Sequence, residues 1–194
     1  MKKIFLAISM VALFAAGALA QGISGGLKGG LNLANLNGDD VSNTDMKIAY
    51  HIGGYVNVAF SEALSVQPEL LFNSVGAKAS EDGYDGKYNI NYISVPVMLI
   101  YSFGNFNIQA GPQVGFLMSA KLKVEGGGDS QEIDYKDYLK STDFGFNLGL
   151  GANFGKLNAA ARYCIGLSNI ADDDNADVKN GVIQLSLGVK LFGD

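Results

Sequence analysis

Two side chains that commonly take part in catalysis occur only once each in the 194 residues, His51 and Cys164. A single histidine excludes metal motifs that need two, and a single cysteine excludes a disulfide scaffold and a cysteine-based zinc site. Histidine readily carries a proton near neutral pH, so His51 is the candidate proton carrier. A membrane-embedded acyl hydrolase would need serine, histidine and an acid beside the lipid. The strand pattern described below places His51 on the other face, so we expect no catalytic residue and no cofactor.

One acidic segment has oxygen ligands at alternate positions, as calcium loops do. Its candidate ligands are Asp172, Asp174, Asn175 and Asp177. The segment lacks the glycine and the distal glutamate of the EF-hand pattern, so it is a weak metal candidate. A solvated acidic loop is the alternative interpretation.

The overall charge argues against a nucleic-acid partner. The formal net charge is −5, and charged residues make up 17% of the chain, against roughly 25% in an average soluble domain. Nucleic-acid binding requires clustered lysine and arginine to neutralise phosphates. The 48% hydrophobic content must therefore be explained in another way.

The N-terminus has the form of a secretory signal peptide. Lys2 and Lys3 precede a run of sixteen uncharged residues, 4–19, and small residues occupy the positions before Gln21. Such a run is shorter than the ~20 residues of a membrane-spanning helix. We expect a signal peptide over 1–20 and one exported domain over 21–194, with no later apolar run long enough to span as a helix.

The exported domain alternates apolar and small or polar residues with the period of two that is typical of β-strands. Eight segments have this character, although the faces of 88–101 stay open because it is apolar on both. Pro68, Pro96 and Pro112 fall inside segments, where we expect bulges or locally interrupted pairing. The eight segments are 23–34, 46–60, 64–74, 88–101, 106–124, 142–154, 157–167 and 181–191.

The connections alternate between long and short. Long connections cover 35–45, 77–87, 125–141 and 171–179, and short ones cover 61–63, 102–105 and 155–156. All but four of the 19 acidic residues lie in the long connections. Long loops at one rim and tight turns at the other are typical of an up-and-down outer-membrane barrel.

The composition of the two faces predicts which one points outward. The polar face is mostly Gly, Asn, Gln, Ser and Ala, which suits a crowded lumen better than a water-exposed surface. Aromatic residues flank the short turns and recur ten residues along the strands, at Tyr50, Phe116 and Phe144. Ten residues at ~3.3 Å each, in strands tilted by about 40°, span roughly the 25 Å apolar band of a membrane barrel. We therefore predict an all-β, eight-stranded antiparallel transmembrane barrel with an apolar outside and a filled lumen.

Four charged residues fall on the predicted lumen face: Lys28, Glu69, Asp143 and Arg162. Buried charges are costly unless they are paired. We expect these four to form a structural network around Glu69 and Arg162 that fills the barrel.

Four motifs resemble, in their order along the chain, those of the PorT-like outer-membrane β-barrel family of Bacteroidetes. The resemblance covers essentially the whole exported domain and implies fold and location, because members of the family are mostly uncharacterised. Ser94 stands where family members often carry glutamate, which weakens any lumen charge network carried over to that position. The motifs are 26–34, 67–72, 110–115 and 162–170.

Taken together, these observations predict a small porin-like outer-membrane protein without enzymatic activity. Both termini would be periplasmic, and four acidic loops would serve a structural or surface-interaction role outside the cell. The expected partners are outer-membrane lipid and an unidentified extracellular or periplasmic protein. Two alternatives stay open: a narrow channel for small solutes, and a secreted, soluble, ligand-binding calyx.

Overall fold

The alternating segments form an almost continuous antiparallel sheet in a computed structural model that describes residues 22–38, 44–81, 84–126, 129–173 and 176–193. The predicted signal peptide, 1–20, lies outside the described residues. One short 3-10 helix covers Lys136–Tyr138. Within the described part of the chain, no helix has the length and apolarity needed to cross a bilayer. The strands are β1 (Ile23–Asn37), β2 (Asp45–Ala59), β3 (Leu64–Val75), β4 (Ala77–Glu81), β5 (Tyr84–Phe103), β6 (Phe106–Gly126), β7 (Asp129–Asp134), β8 (Thr142–Phe154), β9 (Leu157–Gly166) and β10 (Lys179–Phe192).

The sheet closes on itself as a barrel with eight strand positions around its wall, which confirms the predicted fold. β1 pairs with β2 on one side and with β10 on the other, so the first and last strands seal the cylinder. β4 continues in the same position as β3 beyond Gly76, whose φ of +121° interrupts the strand. β7 folds back on β6 beyond the level of β8. In the described part of the chain, closure therefore leaves the barrel wall without an unpaired edge.

Apolar side chains cover the outside of this barrel, and polar side chains fill its inside. Ile48 is 65% exposed, Leu148 48% and Leu185 46%. In contrast, the lumen residues Asn32 and Gln184 are 0% and 1% exposed. This arrangement is the reverse of a soluble calyx and suits a hydrocarbon surrounding.

Two aromatic girdles ring the outer surface near the two ends of the barrel wall. The girdle beside the short turns is exposed and comprises Phe60, Tyr101, Phe103, Phe106, Phe154 and Phe192. In the girdle nearer the long loops, Tyr50 and Phe144 are exposed and Phe116 is half-buried. Tyr50 stacks on Phe72 with ring centroids 5.9 Å apart. Such girdles mark the two interfaces of a membrane barrel.

The structure shows which face of β5 lines the lumen. It also contradicts the predicted inward and outward directions of the side chains at the end of β6 nearer the long loops. β5 turns Leu99 outward and Met98 inward. The register between β5 and β6 shifts beside Met118, which is the extra residue of a β-bulge. Beyond it the alternation is reversed, because Ala120 is fully buried and the Lys121 side chain is 46% exposed. Alternation continued without a break through 106–124 predicts Ala120 on the apolar outer face and Lys121 on the polar inner face. This prediction was wrong for both residues, because a strict period of two cannot anticipate a bulge.

The three prolines interrupt the hydrogen-bonded ladder without changing its register. The β2–β3 pairing passes from Tyr55 opposite Glu69 to Val58 opposite Val66, and Pro68 lies in the gap. The β5–β6 pairing has a similar gap between Pro96 and Leu99, opposite Pro112. Proline lacks an N–H donor, so this locally interrupted pairing is the expected accommodation.

Two-residue turns join β5 to β6 and β8 to β9 at one rim, while the longer connections lie at the other. Each turn begins with a glycine, Gly104 at φ +62° and Gly155 at φ +63°. Positive φ is the backbone geometry that tight hairpin turns require. We call this rim the turn end and the opposite rim the loop end.

Replacing Gly30 with alanine is expected to destabilise the barrel by about 1–3 kcal/mol, the usual cost of overpacking. A Cβ atom at Gly30 would lie 1.9 Å from the backbone oxygen of Leu185 on the adjacent strand. The midpoint of urea unfolding in micelles measures the effect. Gly54→Ala is the matched control, because its Cβ would be 3.4 Å from the nearest backbone oxygen. Equal midpoints for both variants would contradict the close approach.

Candidate functional site

The centre of the lumen is organised around one buried carboxylate, that of Glu69. Arg162 binds it with two nearly parallel contacts, Nη1 to Oε2 at 2.9 Å and Nη2 to Oε1 at 2.7 Å. Lys28 Nζ approaches the same two oxygens at 3.2 and 3.1 Å. All three residues are at most 5% exposed. Strands β1, β3 and β9 supply them, so a closed barrel is needed to bring them together.

Neutral amides complete this Glu69 cluster, which we define as Lys28, Glu69, Arg162, Gln67 and Gln109. Gln67 Nε2 donates a hydrogen bond of 2.8 Å to Glu69 Oε1. Arg162 Nε donates to Gln109 Oε1 at 2.7 Å. Paired and hydrogen-bonded charges are those that a low-dielectric interior tolerates.

Asp143 does not join the Glu69 cluster. Its carboxylate accepts hydrogen bonds of 2.9 Å from Ser168 Oγ and Asn180 Nδ2 near the loop end of the barrel. The sequence pattern placed all four charged residues on one face, but it carried no information on their height in the lumen. Asp143 therefore belongs to a separate polar contact that ties β8 to β10 and to the connection before it.

A second polar cluster, which the sequence did not predict, surrounds His51. Its Nδ1 lies 2.8 Å from Asn32 Oδ1, and its Nε2 lies 2.9 Å from Ser186 Oγ. This order is similar to the serine, histidine and acid of acyl hydrolases, with an amide in place of the acid. Ser186 is 4% exposed and His51 1% exposed, so both side chains are buried in the barrel. The cluster satisfies buried polar groups, and Asn32 also donates to Asn73 Oδ1 at 2.7 Å.

Hydrophobic side chains close the lumen above these clusters. We call this group the loop-end plug, and connections at the rim contribute to it as well as strands. Backbone hydrogen bonds join the β7–β8 connection to the β9–β10 connection. They run from Lys140 N to Ile170 O at 2.8 Å and from Asp172 N to Tyr138 O at 2.9 Å. The plug comprises Ala34, Leu36, Val75, Ala77, Ile90, Tyr92, Leu117, Ala120, Cys164, Ile170 and Val182, with Tyr135, Leu139 and Val178 packed against it.

A polar cavity of about 330 Å³ occupies the turn end of the lumen. We call it the turn-end vestibule. Lys28, Arg162 and Gln109 belong to its lining, and so do Glu62 and Lys156 from the short turns. The vestibule therefore extends from the turns to the Glu69 cluster.

Beyond the loop-end girdle, the sheet continues as a four-stranded projection, which we call the loop-end sheet. It consists of β4, residues 84–91 of β5, residues 119–126 of β6, and β7. An ion pair of 2.5 Å joins Lys121 on β6 to Glu132 on β7. The hydrogen bond to Glu132 raises the pKa of the Lys121 ammonium above its ordinary value. Ile133 beside this pair is 49% exposed.

The calcium-loop candidate is only partly described. Asp172 is exposed, and Asp177 forms a 2.8 Å ion pair with Lys179. Asp174 and Asn175 lie outside the described residues. In the part of the chain that the structure describes, no group of three or more His, Cys, Asp or Glu side chains has metal-site geometry.

Comparison with solved structures shows the same fold in the attachment invasion locus protein of Yersinia pestis, Ail. Ail is 17% identical, with 87% of this chain and 98% of Ail aligned and a TM-score of 0.51. Ail in complex with the heparin analogue sucrose octasulfate is 18% identical, with 88% and 99% coverage and a TM-score of 0.52. Neisserial surface protein A is 12% identical, with 88% and 99% coverage and a TM-score of 0.47.

The amino-acid sequence of the chain shows the family to which it belongs. No curated protein matches the chain. Residues 19–172, by contrast, match a family described as outer membrane protein beta-barrel domain. The chain therefore belongs to this family, and the protein is a β-barrel of the outer membrane.

Proposed function

We propose that this protein is a sealed outer-membrane anchor that presents the loop-end sheet to the extracellular surroundings for contact with a partner. The observation that carries the proposal is the double closure of the lumen. The Glu69 cluster crosses its middle, and the loop-end plug fills the space above it. Small barrels of eight strands hold side chains rather than a channel. The exposed feature available for interaction is then the projecting sheet and the loops around it.

Planar-bilayer recordings test the sealed anchor against the narrow channel. We expect the purified protein to give no discrete conductance steps under conditions in which a porin of known conductance does. Stable steps that scale with protein concentration would overturn the sealed anchor and favour the channel. A replacement of the plug residue Ile170 by glycine serves as a comparison, because it removes a side chain from the plug and leaves the Glu69 cluster in place.

The charge of the loops supports a neutral or cationic partner surface. All but four of the 19 acidic residues lie in 35–45, 77–87, 125–141 and 171–179, which contribute to the loop-end sheet and the loops around it, so electrostatics oppose the approach of a polyanion. This expected preference differs from that of Ail, which was crystallised in complex with the heparin analogue sucrose octasulfate. In nanodiscs at physiological salt, the protein should pass through a heparin column and be retained by a polycationic one. Retention on heparin alone would reverse the proposed partner charge.

The proposal includes an orientation, with the turn end and both termini in the periplasm and the four long loops outside. It also includes cleavage of a signal peptide after Ala20, a closer kinship with PorT-like barrels, and the absence of enzymatic activity. Mass spectrometry of the exported protein should give an N-terminus at Gln21. Protease added to intact cells should cut within the long connections and spare the short turns. Cleavage at the short turns would show that the turn end faces outward, opposite to the proposed orientation.

A further inference from the structure

The turn-end vestibule combines a buried excess of positive charge with room for a ligand. From these features we propose that it binds a small anion bearing a phosphate or carboxylate group. The Glu69 cluster contains two cations, Lys28 and Arg162, and one carboxylate. Their side chains are at most 3% exposed, so solvent does little to compensate the additional charge. A buried charge without a counterion is strongly unfavourable.

Hydrogen-bond donors remain at the floor of the vestibule. A guanidinium has five N–H donors and an ammonium has three. Among the described residues, Arg162 uses three of its donors, two toward Glu69 and one toward Gln109. Both contacts of Lys28 Nζ are to Glu69. Both cations belong to the lining of the vestibule, so their remaining N–H groups are available to an oxyanion.

The walls and the mouth of the turn-end vestibule also favour an anion. Lys156 and Lys190 add two cations to the lining, against the single acid Glu62. Asn, Gln and Ser side chains supply most of the remaining polar surface, including Asn107 and Asn158. The volume of about 330 Å³ lies at the lower end of the range for small-molecule sites, roughly 300–1,000 Å³. A cationic cleft of this kind also concentrates anions at its mouth.

Inorganic phosphate is the probe for the test, with sulfate and acetate in separate arms to distinguish phosphate-like from carboxylate ligands. Binding to the exported protein in micelles is measured by equilibrium dialysis at constant ionic strength, maintained with chloride. We expect saturable binding of one anion per barrel. If phosphate, sulfate and acetate all fail to show saturable binding, the proposal is overturned.

Two variants change the charge of the cluster in opposite directions. Lys28→Met leaves a neutral Glu69–Arg162 pair and should weaken anion binding by at least about tenfold, equivalent to ~1.4 kcal/mol. Glu69→Gln adds one positive charge to the cluster, and the folded variant should bind the anion more tightly. Lys136→Met is the matched control, because it removes the same charge at the exposed loop end and should leave affinity unchanged. Equal weakening by Lys28→Met and Lys136→Met would assign the effect to overall charge and contradict the site.

Discussion

Replacing Glu69 with alanine is expected to destabilise the barrel more than any other single change in the lumen, by about 3–5 kcal/mol. The substitution leaves the Lys28 ammonium and the Arg162 guanidinium buried with no carboxylate between them. Their contacts to Glu69, at 2.7 to 3.2 Å, are replaced by mutual repulsion. The urea midpoint of the protein refolded in micelles, followed by the different gel mobilities of folded and unfolded barrels, measures the loss.

Glu62→Ala is the control for Glu69→Ala, because Glu62 is an exposed carboxylate in the turn between β2 and β3. Its removal should change stability by no more than about 0.5 kcal/mol. Arg162→Ala should also lower the unfolding midpoint. Combined with Glu69→Ala it should cost less than the sum of the single effects, since both remove the same ion pair. Strict additivity, or a Glu69→Ala midpoint equal to that of Glu62→Ala, would remove the Glu69 cluster from the account of stability.

Placing arginine at Leu148 is expected to cost about 2–4 kcal/mol, the penalty for a cation near the bilayer midplane on a barrel surface. Leu148 points outward from β8, between the girdle residues Phe144 and Phe154 along the same strand. The guanidinium would have to enter hydrocarbon or distort the surrounding lipid. Unfolding by urea in lipid vesicles, where a bilayer is present, measures the penalty.

The matched control for Leu148→Arg is Ile133→Arg. Ile133 is exposed to a similar degree, 49% against 48%, but it lies on β7 in the loop-end sheet, beyond the girdle. Its replacement should change the free energy of unfolding little, because the cation stays in water. A similar penalty at both sites, or none at either, would contradict the assignment of hydrocarbon to the middle of the outer surface.

The sequence predicted the features that depend on local pattern. Alternation of side chains identified the eight strands of the barrel wall, and the different lengths of the connections separated the two ends of the barrel. The prediction of connections over 77–87 and 125–141 was wrong in part, because β4 and β7 form there. The prediction for β6 was wrong beyond Met118, because one inserted residue reverses the alternation and no local signal marks it. Strand β5 could not be assigned faces because both of its faces are apolar, and only its neighbours in the sheet decide which one lines the lumen.

The contacts in the lumen were decided by the tertiary structure. Alternation placed Lys28, Glu69, Asp143 and Arg162 on the inner face, since a period of two specifies the face of each residue. The height of a side chain in the lumen depends on the register of all eight strands, and so does the strand that it meets across the barrel. For this reason Arg162 reaches Glu69 from 93 positions away in the chain, whereas Asp143 pairs near the loop end. The cluster around His51, which joins it to Ser186 across 135 positions, was likewise created by closure of the barrel.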